Sequence, residues 1–189
     1  MTNVVAIIPA RAGSKSIIDK NIMELSGHPL LAYSIAAAKL SKSIDRVIVS
    51  TDSPQYAKVA IQYGAEVPFT RPVEYSTDTS TDRGFLVHAM KMLQTTELCS
   101  PEYWVHLRPT TPLRNPELID QAIADILSNN KSTSLRSGYK TPESPLKWFV
   151  KDNQGYFSSL ANSADIDETF NLPKELFADV FVPDGYVDI

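Results

Sequence analysis

The chain has 189 residues, 43% apolar and 21% charged, enough for one α/β domain with a full core. A net charge of −4 gives no general pull toward nucleic acid or an anionic membrane, so any phosphate site must be a local cluster of cations. The single cysteine, Cys99, excludes an internal disulfide framework and fits a reducing cytoplasm, and no apolar run approaches the roughly 20 residues that span a bilayer.

Met1-Thr2-Asn3 leads into an apolar run without the basic flank or cleavage site of a signal peptide. Val4-Val5-Ala6-Ile7-Ile8 is short and continuous, the pattern of a strand buried on both faces of a parallel sheet. Arg46-Val47-Ile48-Val49-Ser50 and Tyr103-Trp104-Val105-His106-Leu107 repeat it. Helical stripes lie between these runs. Pro29 is placed to open the first at its N1 position, ahead of Leu31, Ile35 and Ala38. Ser53-Pro54 is a cap followed by an N1 proline, and Tyr56, Val59, Ala60 and Tyr63 make the second stripe. Phe85, Ala89, Met92 and Leu93 make a third, with His88 among them as a packed histidine. Asn115-Pro116 starts a fourth, which carries Leu118, Ile119, Ala122, Ile123, Ile126 and Leu127 and ends near Asn129-Asn130.

Alternation of strand and helix predicts a doubly wound, mostly parallel α/β sheet over residues 1–140. Ligands of such sheets sit outside the carboxyl ends of the strands. That rule points to the loops Pro9–Met23, Thr51–Ser53 and Arg108–Asn115, with His106 at the edge of the last. After about Thr141 the pattern breaks. Pro142, Pro145, Pro173 and Pro183 interrupt it, and Trp148, Phe149, Tyr156 and Phe157 cluster, which predicts a partly β lid or dimer arm over 141–189 that returns to the sheet. Asp165–Glu168 reads as an acidic exposed loop, and Gly185–Ile189 as the start of a buried strand in a chain cut short.

Pro9-Ala10-Arg11-Ala12-Gly13-Ser14-Lys15, followed by Lys20-Asn21, is the segment richest in chemistry. Gly13 lets backbone N–H groups approach a ligand closely. Arg11 can grip phosphate oxygens in a fork, and Lys15 and Lys20 add point charges. Fixed cations at a phosphorus under attack stabilise the charge that builds on its oxygens and on the leaving group. The loop is neither a P-loop nor the dinucleotide glycine fingerprint. Its plain alternative is a basic surface loop with solvated lysines.

Five ordered blocks carry a family resemblance. They are Ala6 to Lys15 with Lys20-Asn21, Asp45 to Asp52, Gly64 to Phe69 leading to Arg71-Pro72, Thr77-Asp78-Thr79, and Leu107 to Arg114. Together they resemble the acylneuraminate cytidylyltransferases, the CMP-sialic acid synthetases. The resemblance implies a magnesium-assisted attack by a sugar hydroxyl on the α-phosphorus of CTP, with pyrophosphate leaving. It implies that Arg11 and Lys20 hold the triphosphate, and that Ala10, Ala12, Gly13 and Ser14 offer backbone or hydroxyl contacts, with Lys15 nearby. Asn21 and Arg71 would face the nucleoside, and Pro109 and Thr110 the floor between nucleotide and sugar. Lys147 would face the sugar, and the segment after Thr141 would be a homodimer arm. Arg71 also has a plain reading as a turn residue, and Lys147 as an exposed lysine.

The match also departs from the family. Thr79 is followed by Ser80-Thr81-Asp82, and the Asp82 carboxylate is suited to paired N–H donors such as guanine offers. Arg108 stands where the family usually has glutamine, and Lys174 and Val182 where it tends to have arginines, so Arg108 and Lys174 join Lys147 as expected sugar contacts. The family's magnesium-binding aspartate pair has no counterpart here, and Asp52 and Asp78 are metal candidates by position alone, each with capping as its plain reading. These departures leave a GTP-dependent guanylyltransferase for an amino-sugar phosphate as the second substrate reading, and legionaminic-type nonulosonic acids as further sugars for the first. A non-catalytic nucleotide-binding fragment is a third reading. No glycine fingerprint supports an NAD enzyme, and no constellation points to nucleic acid or membrane.

Overall fold

A computed structural model describes residues 3–15, 17–160 and 172–189, so the acidic stretch at 165–168 lies outside the described residues. In chain order the strands are β1 (Val4–Pro9), β2 (Glu24–Leu25), β3 (His28–Pro29), β4 (Arg46–Ser50), β5 (Tyr103–His106), β6 (Arg136–Lys140), β7 (Phe149–Lys151), β8 (Phe157–Ser159) and β9 (Phe181–Asp188). The helices are α1 (Leu30–Leu40), α2 (Pro54–Gln62), α3 (Asp82–Glu97) and α4 (Pro116–Ser128). Two compact units result, Met1–Ser137 with Gly185–Ile189, and Gly138–Asp184.

The first unit is built on β1, which pairs in parallel with β4 on one edge and β5 on the other. The main sheet runs β4-β1-β5-β9-β6, with β9 antiparallel to β5. Val4, Val5, Ala6, Ile7 and Ile8 are all buried, as their unbroken apolar run requires. Their period of two divides the core. Val4, Ala6 and Ile8 pack with Leu31 and Ile35 of α1, Tyr56 and Ala60 of α2, and Ile119 and Ile123 of α4. Val5 and Ile7 pack on the other face with Phe85, Ala89 and Leu93 of α3. Helices therefore cover both faces, which is the doubly wound arrangement. Each fully buried Val or Ile here stabilises the fold by about 1.5–3 kcal/mol.

The helix starts follow from their caps. The Ser53 hydroxyl accepts the Tyr56 N–H at 3.3 Å with Pro54 next in line. Asn115 Oδ1 accepts the Glu117 N–H at 3.1 Å, again before a proline. Pro29 differs from the sequence expectation by one residue. Its ψ of 141° keeps it in the β2–β3 hairpin opposite Glu24, and α1 begins at Leu30. His88 lies between the rings of Phe69 and Tyr75, with centroids 5.2 and 5.6 Å away.

The second unit contains a 3-10 turn at Pro145–Lys147, the β7–β8 hairpin and a 3-10 turn at Lys174–Leu176. Asp152 Oδ1 closes the hairpin by accepting the N–H groups of Gln154 and Tyr156. Gly138 has no room for a side chain, since a Cβ there would lie 2.8 Å from the carbonyl oxygen of Val182. No described helix is long and apolar enough to cross a membrane.

Asp120 ties α4 to the turn after α1. Its Oδ1 accepts the Ser41 hydroxyl at 2.5 Å and the Ser43 N–H at 3.0 Å, and its Oδ2 accepts the Lys42 N–H at 3.1 Å. Partial burial pushes its pKa up, but these donors outweigh it and hold the carboxyl below its ordinary value. Asp120→Ala therefore lowers stability by about 1–2 kcal/mol in urea unfolding, and Asp120→Asn by less, because the amide oxygen still accepts.

Candidate functional site

Three loops meet outside the carboxyl ends of β1 and β5 and enclose a cleft of about 190 Å³. The loop after β1 contributes Pro9, Arg11, Ser14, Lys20 and Asn21. The segment from Arg71 into the first turn of α3 contributes Arg71, Tyr75, Ser80, Thr81, Asp82 and Phe85, and the loop after β5 contributes Arg108, Pro109 and Thr110. Among the described residues the lining thus holds four cationic side chains and one carboxylate, Asp82. That is the local positive cluster an acidic chain needs to receive phosphate.

The first loop is braced at several points. The Ala10 N–H extends the strand pairing by donating to the Ser50 carbonyl at 2.9 Å, and the Ala12 N–H donates to Asp52 Oδ1 at 2.8 Å. Buried Asn21 donates through Nδ2 to the Arg11 carbonyl at 3.0 Å. Gly13 takes a φ of 67°, a left-handed conformation that suits glycine, and it sits where the chain turns outward. The brace leaves Arg11 reaching outward, with Nη2 donating to Asp78 Oδ1 at 2.8 Å. The other oxygen of Asp78 meets Lys15 Nζ at 2.7 Å. The two cations hold the Asp78 carboxyl below its ordinary value, Lys15 more than Arg11.

Arg71 is 3% exposed. Its Nε donates to the Ser50 hydroxyl at 3.0 Å, its Nη2 to the Ser50 carbonyl, and its guanidinium lies 4.6 Å from the Phe85 ring centroid. Burial, reinforced by the charge of Arg11, pushes its pKa down to about 10, so it remains a cation at neutral pH.

Arg108 sits between two carboxylates. Its Nη2 meets Asp82 Oδ2 at 2.7 Å and its Nη1 meets Asp188 Oδ2 at 2.5 Å. The loop that carries it is anchored by buried Arg114, which donates to the carbonyls of Arg108, Thr111, Gly185 and Tyr186 and to the Ser34 hydroxyl. A guanidinium offers five donors, and here they gather carbonyls from the loop after β5 and from β9 together with a hydroxyl on α1.

The structure therefore gathers Arg11, Ser14, Lys20, Asn21, Arg71, Asp82, Arg108, Pro109 and Thr110 around one cleft. Ala10 is wholly buried, and the N–H of Ala12 is already engaged. Lys15 stands beside Arg11 through their shared carboxylate rather than in the lining. Lys147 belongs to the second unit, where its Nζ lies 5.5 Å from the centroid of Phe177. Lys174 starts a 3-10 turn in the same unit, and its side chain lies outside the described atoms. The sequence reading did not single out Tyr75, Ser80, Thr81 or Phe85 as lining residues, nor Asp188 and Arg114 as supports. Ser80 and Thr81 carried a signal, since they directly follow the Thr77-Asp78-Thr79 block. The pairs Arg108–Asp188 and Arg114–Ser34 each span 80 residues and leave no local trace.

The resemblance also implied magnesium, which at a nucleotide is held by one or two carboxylates together with the phosphates, and the one carboxylate lining the cleft among the described residues, Asp82, is paired with Arg108. No group of three or more His, Cys, Asp or Glu side chains gathers among the described residues. Asp52 accepts the Ala12 N–H, and Asp78 is shared by two cations.

The cleft lies at the strand ends of a doubly wound sheet and is lined with cations, which makes the chain an α/β protein of the doubly wound class with a positive crevice. A family model described as cytidylyltransferase matches residues 5–182, and the chain belongs to that family. It is 42% identical over 120 residues to the CMP-N,N'-diacetyllegionaminic acid synthase of Legionella pneumophila, covering 64% of this chain and 51% of that protein. It is 41% identical over 122 residues to an N-acylneuraminate cytidylyltransferase of Escherichia coli, covering 65% and 28%. It is 33% identical over 151 residues to the pseudaminic acid cytidylyltransferase of Campylobacter jejuni, covering 79% and 65%. The chain thus spans 28% to 65% of the length of these curated relatives. In fold it is similar to a CMP:2-keto-3-deoxy-manno-octonic acid synthetase solved with CTP. That likeness has a TM-score of 0.69 at 18% identity and covers 99% of this chain and 73% of the other.

His106 ends β5 beside the cleft, 5% exposed and edge-on to Phe85, and its Nε2 has no hydrogen-bond partner among the described residues. Burial, then the charge of Arg108, pushes its pKa down to about 4, with Arg114 acting in the same sense and Asp82 and Asp188 opposing. An ordinary imidazole in the unfolded chain takes its proton near pH 6.5, whereas the folded chain resists it until about 4. Stability present above pH 6.5 is therefore lost as the pH falls toward 4. His88, also held low by burial, contributes in the same direction. Thermal melts at intervals from pH 7 to pH 4.5 are expected to show Tm falling over this window in the wild type and falling less steeply in His106→Gln.

Proposed function

We propose that the cleft binds CTP and that the protein transfers CMP from it to a nonulosonic acid of the sialic, legionaminic or pseudaminic type, releasing pyrophosphate. The observation that carries this reading is the gathering of Arg11, Lys20, Arg71 and Arg108 around one cleft at the strand ends. Membership of the cytidylyltransferase family and the names of the relatives support the base and the sugar class.

In this reading the sugar's anomeric hydroxyl attacks the α-phosphorus. An oxygen–phosphorus bond forms, the bond between the α-phosphorus and the bridging oxygen breaks, and the hydroxyl proton passes to solvent. Arg11 and Lys20 face the departing pyrophosphate and stabilise its growing charge. Asn21 shapes the loop by holding the Arg11 carbonyl. Arg71, fixed on Ser50 and Phe85, gives the nucleoside side of the cleft a rigid cation. Pro109 and Thr110 form the floor on which the sugar meets the nucleotide. Magnesium, which the family resemblance implies, enters as a requirement to be tested by adding and chelating it.

GTP is the less favoured base. Asp82 is the residue that suggested it, and its Oδ2 is engaged by Arg108. We also read the protein as a cytoplasmic homodimer. The dimer rests on the β7–β8 hairpin, where Phe149 and Phe157 face each other at 5.9 Å between centroids and both remain more than half exposed, beside exposed Tyr156 and Leu160.

Purified chain with magnesium, CTP and a panel of nonulosonic acids is expected to release pyrophosphate. No release with CTP, but release with GTP and a hexosamine phosphate, would overturn the assignment of base and sugar. Arg11 is partly exposed and its ion pair with Asp78 is exposed, while its contact with the Ser76 carbonyl is long, at 3.5 Å. Arg11→Ala should therefore lower kcat about 100-fold or more with an unchanged melting temperature. A wild-type rate would remove Arg11 from the chemistry.

A further inference from the structure

Arg11 and Lys15 both belong to the braced loop, and both are engaged by a single carboxylate. Asp78 Oδ1 lies 2.8 Å from Arg11 Nη2 and Asp78 Oδ2 lies 2.7 Å from Lys15 Nζ. The carboxylate comes from a loop 67 residues away from Arg11, so the contact is a tertiary one. That loop has its own closure. The Ser80 hydroxyl accepts the Thr77 N–H at 3.0 Å and donates to the Glu74 carbonyl at 2.9 Å. The closure leaves the Asp78 side chain with no hydrogen bond to its own loop among the described contacts. Two oxygens of one anion, each met by a different cation, is the geometry a phosphate group would take in the same place.

We infer that Asp78 is a specificity-determining residue: it occupies the phosphate seat between Arg11 and Lys15 and must be displaced by the nucleotide. The inference rests on the reading of the cleft as a triphosphate site. Asp78 is tethered, so it acts as an ion at an effective concentration on the order of millimolar or above. A monocarboxylate brings the same single charge and gains nothing by replacing it. A triphosphate carries several charges and further contacts, so it wins. This matters because the proposed second substrate is itself a carboxylic acid, which would otherwise compete for the same two cations. Both partners of Asp78 are at least partly exposed, Lys15 by 81%, so the pairs are weak enough to be exchanged.

The test is a calorimetric titration of CTP into the wild type and Asp78→Asn, each with and without excess sodium acetate. The asparagine keeps the shape and removes the charge. Asp78→Asn is expected to bind CTP about three- to tenfold more tightly, since two exposed ion pairs no longer oppose binding. Acetate is expected to weaken CTP binding to the variant and to leave the wild type unaffected. Wild-type binding of CTP with equal or weaker binding by the variant would overturn the role of Asp78 and leave the nucleotide reading standing. No binding of CTP by either chain would overturn both. A crystal of the wild type grown with CTP gives a check that needs no variant. The Asp78 carboxylate is expected to lie beyond 4 Å from the Arg11 guanidinium, and a pair kept at its present 2.8 Å would contradict the inference.

Discussion

The burial of β1 on both faces and both edges governs where chemistry can occur in this protein. From Val4 to Ile8 every side chain is enclosed by helices, and every backbone group has a strand on either side to pair with. A charged side chain in that run would lose its hydration without a partner, at a cost of several kcal/mol. The chain can first present polar groups where it leaves the sheet, at Pro9 and beyond. β5 ends beside it, and the loops that follow the two strands face the segment entering α3 from the other side of the sheet, so a crevice opens between them. The cleft is the outcome of that topology, and the loop after β1 is its nearest wall.

The crevice becomes cationic through arginines held by the fold itself. Arg71 is buried in the wall of the cleft and donates to the carbonyl and hydroxyl of Ser50. Such partners keep the positive charge without cancelling it, as a carboxylate would. Arg108 and Arg11 are treated differently. Each is paired with aspartates at the cleft or its rim, so their charge is partly neutralised until a ligand competes for it. The same site thus combines permanent positive charge at its base with exchangeable positive charge at its mouth. This division suits a ligand that must be gripped and whose product must leave.

Much of the fold was legible in local sequence. The runs at Val4, Arg46 and Tyr103 have the continuous apolar pattern of doubly covered strands, and Ser53-Pro54 and Asn115-Pro116 mark helix starts through side-chain caps that require only near neighbours. β9 was less legible, because Pro183 and Gly185 interrupt its pattern and much of it is exposed. In the site, Arg11, Lys20 and Asn21 could be read because they share one loop. The triad of Asp82, Arg108 and Asp188 could not, because its members come together only after the chain has folded. Asp78 shows the same limit. In sequence it looked like a cap or a metal ligand, and only the folded chain brings it to Arg11 and Lys15. The sequence expected Arg108 to serve the sugar, and its two aspartate partners now define what that contact would have to displace.

The claim at the centre of this account is that the cationic crevice receives a nucleoside triphosphate. A thermal-shift series with CTP, GTP, ATP and UTP at equal concentration tests it most directly, because a ligand that binds only the folded state raises Tm by mass action. CTP is expected to give the largest rise, and Arg71→Ala, once its own lower baseline is subtracted, to lose most of it. If none of the four raised Tm in the wild type at millimolar concentration, the crevice would not be a triphosphate site.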